Sequence, residues 1–332
     1  MLNYIIRRLI VAVFMLLGVA FVSFIVIQLP PGDFATSYKA FLLAQPGVSE
    51  EQAERQAQML RERYGLDQPI PVQFFTWIKG MVTEGKFGFS FAYRKDVGEV
   101  IADRLPKTLL LAGLSHLISS VVGISLGIFV ANRKYGIVDN VSGIIAFILT
   151  SVPRFWMALV ILYILVFWFG QPSISSFFSN EYVIAPWSLP RVWDMLKHIW
   201  PVLLIAGLGG VARNMRVMRG NLLDVLGAQY VTTARSKGLS ESKVMTRHAV
   251  PNALHTIVAY QGTVLPYMIA GELEVAIVLN LPTMAPMFSA ALSGQDIYVA
   301  GVFLLITGAL IILGNLLADI FLAVLDPRIR YS

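Results

Sequence analysis

Hydrophobic residues gather into six long runs along this chain, with polar segments between them. Most of the runs reach roughly 20 residues, the length at which an α-helix crosses the ~30 Å hydrocarbon layer of a bilayer. Lipid offers the backbone no hydrogen-bond partners, so runs of this kind form helices. The pattern predicts an all-α polytopic membrane protein with six transmembrane helices, within Leu9–Leu29, Thr108–Ala131, Ser142–Phe169, Pro201–Ala212, Ala253–Ile277 and Val302–Val324.

Two of these runs contain helix breakers. The third is unusually long and carries Pro153, which predicts either a kinked helix or two shorter segments. The fourth begins at Pro201, contains three glycines and is the least regular. The first follows Arg7 and Arg8, as the apolar part of a signal peptide would. It is long for that role and no small-residue cleavage site follows it, so we expect an uncleaved helix over residues 1–29.

The distribution of charge predicts the orientation in the membrane. With the N-terminus inside, the inner segments are 1–8, 132–140, 213–252 and 325–332, and they hold 13 Lys or Arg residues against 4 Asp or Glu residues. The outer loop 30–107 holds 10 of each sign. Because short cytoplasmic loops carry the excess of positive charge, both termini are expected in the cytoplasm. The net charge of +6 is thereby accounted for without a nucleic-acid partner.

The loop 30–107 is predicted to form a small domain outside the membrane. Ser49–Tyr64 is a charged helix with a cap at Ser49 and a stop at Gly65. Pro69 and Pro71 are expected to break the chain, and an aromatic-rich amphipathic helix follows them. A segment of this size is too small to be an independent enzyme domain.

Catalytic motifs are missing from the sequence. Gly80–Phe87 has the spacing of a phosphate-binding loop, but Phe87 replaces the Ser or Thr that would hold magnesium and no buried strand precedes it. The chain has no cysteine, and its four histidines lack metal-ligand spacing. The sequence therefore predicts a protein that is not an enzyme, with no metal and no cofactor of its own.

Three charged residues within the predicted spans are candidates for a polar path. Arg154 follows the Pro153 break, and Glu272 and Glu274 lie toward the outer end of the fifth span. Charge at membrane depth usually faces a cavity or a partner. The two glutamates have an alternative, which is to reach the outer lipid headgroups.

The polar segment between the fourth and fifth spans is the most informative part of the chain. Arg213, Arg216 and Arg219 recur at a spacing of three and form a basic stripe for lipid phosphates or for acidic groups on a partner. Asp224 is expected to cap a helix with a modest apolar face, which Gly238 ends. Ser240 then caps a second helix that Pro251 stops. A short amphipathic helix of this kind fits a groove on a soluble protein.

The same segment carries a family resemblance. Tyr230-Val231-x-x-Ala234-Arg235-x-Lys237-Gly238-Leu239 resembles the coupling-helix motif of bacterial ABC importer permeases, and most closely that of the dipeptide/oligopeptide/nickel family. Four further stretches agree in order and spacing: Ile6-Arg7-Arg8-Leu9, Tyr64-Gly65-Leu66-Asp67-Gln68-Pro69, Arg104-Leu105-Pro106-x-Thr108-Leu109, and Asn315-Leu316-Leu317-Ala318-Asp319 followed by Leu325-Asp326-Pro327-Arg328-Ile329-Arg330.

The resemblance implies one half of an importer pore in the bacterial inner membrane. It implies a MetI-like permease core of five helices over 108–332, with the coupling helix at about 224–240, preceded by an extra N-terminal helix (1–29) and a periplasmic domain (30–107). The implied partners are a second permease subunit, two cytoplasmic ATP-binding subunits that hold ATP and magnesium, a periplasmic solute-binding protein and membrane lipid. The residues implied in docking to the ATPase are Tyr230, Ala234, Arg235, Lys237, Gly238 and Leu239.

One departure from the family pattern bears on the substrate. After the fifth span, relatives commonly read Glu-x-x-Phe-x-x-Pro-Gly-Leu-Gly, whereas this chain has Ala276 at the acidic position and Pro282-Thr283-Met284 further on. Di- or oligopeptides are the expected cargo, and an oligosaccharide or an opine remains open. Two other classes of function also remain open: a stand-alone secondary transporter or channel, which leaves the coupling-like segment unexplained, and a membrane anchor of another complex.

Overall fold

The computed structural model describes residues 2–171 and 175–325. They are mostly helical, as predicted; the final motif of the family resemblance lies outside them from Asp326 onward. The helices of the described residues are α1 Leu2–Ile27, α2 Phe34–Leu43, α3 Glu50–Tyr64, α4 Ile70–Glu84, α5 Val97–Ala131, α6 Ile137–Ser151, α7 Arg154–Tyr163, α8 Leu189–Leu226, α9 Gln229–Ser236, α10 Glu241–Val244, α11 Val250–Val278, α12 Met284–Ser293 and α13 Ile297–Leu325.

Shorter elements interrupt this series. Strands β1 (Phe89–Ser90) and β2 (Lys95–Asp96) pair antiparallel, with Phe89 opposite Asp96. The segments Ile164–Trp168 and Met245–Ala249 are π-helical and continue α7 and α10, and Asn180–Tyr182 is a 3₁₀ turn.

Four helices of the described residues are long and apolar enough to span a membrane, namely those at Ile6–Ile27, Val97–Ala131, Leu189–Leu226 and Ile297–Leu317. The predicted break at Pro153 is present, because Ile137–Ser151 and Arg154–Trp168 meet at 92°, as a broken span or a re-entrant loop would. The predicted run Ala253–Ile277 falls within α11, where the side chains of 259–271 lie outside the description. The structure therefore supports four or five spans, and the sixth stays a prediction.

The described chain divides into two compact units. The core unit comprises residues 107–282 and 311–325, and the N-terminal unit comprises 2–106 and 283–310.

In the N-terminal unit, local sequence signals set the helix ends. Ser49 and Gln52 form a reciprocal capping box at the start of α3, and Gly65 ends that helix in the left-handed conformation, both as predicted. Pro71 does not break the chain; it lies in the first turn of α4, where a proline costs no hydrogen bond. Buried Phe24, Phe74 and Trp77 pack ring to ring between α1 and α4.

A carboxylate–guanidinium pair ties α2 to α3 in the same unit. Asp33 caps α2 by accepting from the Thr36 amide, and it also accepts from Arg61 Nε at 2.8 Å. Burial opposes ionisation of Asp33, but the hydrogen bonds from Arg61 and Thr36 outweigh it and hold the pKa of this carboxyl below its usual value. Asp33 therefore stays charged, and α2 and α3 are held together from neutral pH well into the acid range.

In the core unit, α5 and α8 cross at small residues. Gly123 and Gly127 lie one turn apart on α5, so the α8 backbone approaches closely. A Cβ built at Gly127 would lie 2.6 Å from the Cβ of Met218, and one at Gly123 would lie 2.8 Å from the Val211 carbonyl oxygen. Asn214 Nδ2 donates to the Ser119 carbonyl at 3.0 Å in this buried crossing.

We expect alanine at Gly127 to destabilise the chain by about 2 kcal/mol, because the added methyl group meets atoms next to the α8 backbone that cannot move aside. Gly113 lies on the same helix with open space around it, so Gly113→Ala is the matched control and should be neutral. Thermal unfolding midpoints in mild detergent compare the two. Equal midpoints would contradict the close crossing.

Candidate functional site

The polar segment identified in the sequence follows directly from α8. That helix runs without interruption to Leu226, so Asp224 lies inside it. The prediction that Asp224 caps the next helix is therefore wrong. Ala228 takes the N-cap position of α9 and makes no side-chain hydrogen bond there. The short turn Gly227–Ala228 joins α8 to α9, and packing of the apolar side of α9 then holds that helix in place.

Gly238 ends α9, as predicted. Its φ angle is +77°, in the left-handed region that favours glycine. Gly238 N donates to the Arg235 carbonyl at 2.9 Å, and Leu239 N donates to the Ala234 carbonyl at 3.4 Å. This pair of bonds is a Schellman motif, which closes the carbonyl end of the helix.

The apolar side of α9 faces the chain itself. Val231, Ala234 and Val244 form a buried cluster, and Val225, Leu226 and Leu239 pack against it. A second cluster around Met218, Leu222 and Met245 joins α5, α8 and α11 directly beside it. The α9 helix is therefore fixed to the core unit on its apolar side.

The structure divides the predicted docking residues into two groups. Ala234 is buried and Leu239 is partly buried within the cluster, so they hold α9 in place. The other four, Tyr230, Arg235, Lys237 and Gly238, are exposed. Arg235 is also fixed from the side, because Nη2 donates to Glu241 Oε1 at 2.6 Å and Nε donates to Oε2 at 3.0 Å. That salt bridge holds the pKa of Glu241 below its usual value.

The helix after Gly238 is longer than predicted. Ser240 occupies the N-cap position of α10 without a capping hydrogen bond from its side chain. The chain then stays helical through the π turn Met245–Ala249 into α11, and Pro251 lies in the first turn of α11. The prediction that Pro251 stops this helix is wrong: the π turn directly before it locally changes the α-helical bonding pattern that a proline would otherwise disrupt.

The three arginines of the basic stripe have three different environments. Arg219 forms a two-pronged ion pair with Asp139, with Nε 2.5 Å from Oδ1 and Nη2 2.6 Å from Oδ2. Arg216 is exposed and reaches Thr150 Oγ1 at 3.5 Å. Arg213 lines a cavity. Arg213 and Arg216 are exposed, as the sequence predicts for the whole stripe, whereas Arg219 is partly buried in its ion pair.

A polar cavity of about 330 Å³ lies at the bend between α6 and α7. Arg154, Arg213 and Glu274 contribute its charged groups, and Gly209 forms part of its wall. The sequence places Arg213 at the inner end of one span and Glu274 toward the outer end of another. They meet in one cavity because α8 extends 13 residues beyond Arg213, which therefore lies well inside the helix.

The two glutamates of α11 have different environments. Glu274 is exposed to the cavity, whereas Glu272 is buried at 1% relative exposure. Both carboxylate oxygens of Glu272 are without a hydrogen-bond partner among the residues described. The structure thus brings Arg154 and Glu274 together and leaves Glu272 apart from them.

Reasoning from the sequence alone missed Asp139 and the two α5 glycines. Asp139 appears in the sequence as one acid in a basic loop, and nothing local signals its pairing with a residue 80 positions away. The small-residue spacing Ser119, Gly123 and Gly127 is a readable signal for close helix crossing, and it could have been found.

Comparison with known proteins finds family matches over most of the chain. The family described as "Binding-protein-dependent transport system inner membrane component" matches residues 123–331, and the corresponding N-terminal domain matches residues 1–112. The oligopeptide transport system permease protein AppB of Bacillus subtilis is 32% identical over 99% of both chains. A protein of Brucella suis biovar 1 with "peptide permease" in its name is 33% identical over 100% of both. With the α8–α9 segment and the membrane helices inside the matched region, the chain belongs to the family of inner-membrane components of binding-protein-dependent transport systems.

Proposed function

We propose that this chain is a permease subunit of an ATP-driven importer and that α9 is its coupling helix. The observation that carries the proposal is the construction of α9. Its apolar side is buried in its own cluster, and its exposed side presents Tyr230, Arg235 and Lys237 beside the Gly238 turn. An exposed element so firmly attached can transmit a displacement to α8 and α11.

The proposed assembly has two permease subunits, this chain and a second similar one. Each inserts its α9 into one of two cytoplasmic ATPase subunits, which bind ATP and magnesium and carry out hydrolysis. A solute-binding protein docks on the opposite face. Both termini are then cytoplasmic, in keeping with the excess of positive charge in the short inner segments. Nucleotide and loaded binding protein bias one two-state equilibrium from opposite sides of the membrane.

Within α9 we assign contact and positioning to different residues. Tyr230, Arg235, Lys237 and the Gly238 backbone would contact the ATPase. Ala234 and Leu239 would position the helix from inside the cluster. In the pore, Arg154 and Glu274 would line the solute path, and buried Glu272 would support it from within α11.

Peptides are the proposed cargo. The relatives named above are described as oligopeptide or peptide permeases, and they align with this chain from end to end. Ala276, at the position where family members commonly carry an acid, is fully buried, so the departure from the family pattern lies in the interior of the protein. An oligosaccharide or an opine would require a different set of contacts in the pore.

We expect Tyr230→Glu to reduce the recovery of ATPase subunits with this chain by tenfold or more. Tyr230 is 46% exposed on α9, and a carboxylate placed in an apolar groove is strongly unfavourable. The measurement is purification of the complex from native membranes in mild detergent, with each retained subunit quantified. Phe75→Ala is the control, since Phe75 is 68% exposed on α4 in the other unit.

Normal ATPase recovery with Tyr230→Glu would contradict the docking role of α9. Recovery of the wild-type chain alone, together with solute uptake into proteoliposomes driven by an ion gradient and indifferent to ATP, would replace the importer with a secondary transporter. Failure to move any solute in either assay would favour an anchoring role.

A further inference from the structure

We propose that the cavity at the α6–α7 bend binds a carboxylate group of the peptide in transit, with Arg154 as its main ligand. The inference rests on the proposed importer function and assigns one chemical group of the cargo to one site. The cavity lies within the core unit, and the residues that line it come from α6, α7, α8 and α11.

The first observation is the state of Arg154. Its guanidinium is partly buried against Gly209, where a Cβ would lie 3.6 Å from Nη2 and 3.7 Å from Nε. The absence of a side chain at Gly209 leaves room for the guanidinium beside α8. Arg154 has no ion-pair partner within 4 Å among the residues described. A guanidinium at membrane depth requires an anion or a water-filled cavity, and the cavity opens beside it.

The second observation is the charge balance. Arg154 and Arg213 supply two positive charges and Glu274 supplies one negative charge, which leaves a net charge of +1. Both Glu274 and Arg213 lie close enough to Arg154 to interact with it electrostatically. Pro153, Arg154 and Phe155 at the start of α7 line the same space, so the positive end of that helix adds to the potential. The site is therefore suited to an anionic group.

The third observation is the chemical match between a guanidinium and a carboxylate. A guanidinium matches a carboxylate with two parallel hydrogen bonds, which a neutral amide or an ester does not reproduce. A peptide carries a carboxylate at its C-terminus, and Glu274 is available to its amino groups. A volume of about 330 Å³ admits the end of a peptide and not a folded chain.

This chain has no cysteine, so a single introduced thiol can report the electrostatic potential inside the cavity. Ser151 lines the cavity, and Ser151→Cys introduces a single thiol there. In the assembled complex in proteoliposomes, an anionic and a cationic methanethiosulfonate are compared by their rates of modification of this chain. We expect Arg154→Gln to lower the anion-to-cation rate ratio by about tenfold, and Arg154→Lys to preserve most of it. Lys134→Gln removes a charge from the exposed α5–α6 turn and should leave the ratio unchanged.

Protection experiments identify the ligand group. A mixed peptide digest should slow modification of the Ser151→Cys thiol when Arg154 is present, and the same digest after methyl esterification should not. Equal protection by both digests would overturn the proposal. An anion-to-cation rate ratio that is unchanged in Arg154→Gln would also overturn it. Protection that instead follows the content of anionic lipid would overturn it in favour of a phospholipid headgroup.

Uptake in the same proteoliposomes separates this inference from the proposed function. ATP-driven uptake of the labelled digest, combined with a rate ratio independent of Arg154, would remove the carboxylate site and leave the importer intact. Absence of ATP-driven uptake by the wild-type complex would remove both.

Discussion

Replacing Asp139 with alanine should destabilise the core unit by on the order of 3 kcal/mol. The Asp139 side chain is 5% exposed and accepts two hydrogen bonds from Arg219 and a third from the Tyr135 amide at 2.8 Å. Alanine would leave the guanidinium of Arg219, itself 29% exposed, without its carboxylate. The pair joins the start of α6 to α8 about two turns before α8 ends and leads into α9, so we expect loss of transport as well.

A double-mutant cycle separates the pair from its surroundings. Arg219→Met removes the charge and keeps much of the side-chain volume, so Asp139→Ala combined with Arg219→Met should cost clearly less than the sum of the single changes. Arg216→Met is the matched control: among the described residues Arg216 makes a single hydrogen bond, at 3.5 Å to Thr150 Oγ1, so this substitution should change stability little. Midpoints of thermal inactivation in detergent provide the comparison. Strict additivity of the two changes would contradict a direct interaction.

The sequence predicts well those elements whose signals are local. The α3 helix is confirmed at both ends because Ser49 and Gly65 act within one turn of the residues they stabilise. The bend at Pro153 is confirmed for the same reason, since a proline restricts its own backbone and that of the residue before it. The end of α9 at Gly238 is a third case.

The sequence fails where packing overrides a local signal. Asp224 is a good capping residue, but the apolar contacts of Leu222, Val225 and Leu226 continue α8 past it. Pro251 is a good helix breaker, but the buried residues Met245, Ala249 and Ala253 hold one helical path through it. In both cases several buried side chains outweigh one polar or conformational preference.

The candidate site shows the same division. The segment proposed here for coupling could be located from its motif, yet only the fold shows that Ala234 and Leu239 face inward while Tyr230 faces outward. Arg154 could be selected as a charge inside an apolar run. Its proximity to Arg213 and Glu274 could not, because these residues come from three helices and their meeting depends on how α7, α8 and α11 cross.

Replacing Gly238 with proline should release α9 while leaving the membrane helices in place. The φ angle of +77° lies outside the range of proline, and the Gly238 amide that donates to the Arg235 carbonyl would be lost. We expect a local cost on the order of 2–3 kcal/mol, from the strained backbone and the missing hydrogen bond. Alanine should cost roughly 1 kcal/mol, because space is open around Gly238 and only the backbone conformation opposes it.

Limited trypsin digestion measures this release, since Arg235 lies one turn or less from Gly238 on an exposed surface. The rate of cleavage after Arg235 should rise tens of fold in Gly238→Pro and a few fold in Gly238→Ala. The reason is that the rate follows the fraction of molecules in which α9 is open. In Gly238→Pro, trypsin cannot cleave after Lys237 because proline follows it. Cleavage after Arg235 is therefore the reaction to measure in all variants. Gly220→Ala is the control: Gly220 lies inside α8 with open space, and alanine there should leave the rate unchanged.

ATP-driven uptake should fall in the same order as cleavage rises, because a coupling helix must be rigid to transmit the motion of the ATPase. Undiminished uptake by a Gly238→Pro complex whose α9 is readily cleaved would show that transport does not depend on an ordered α9.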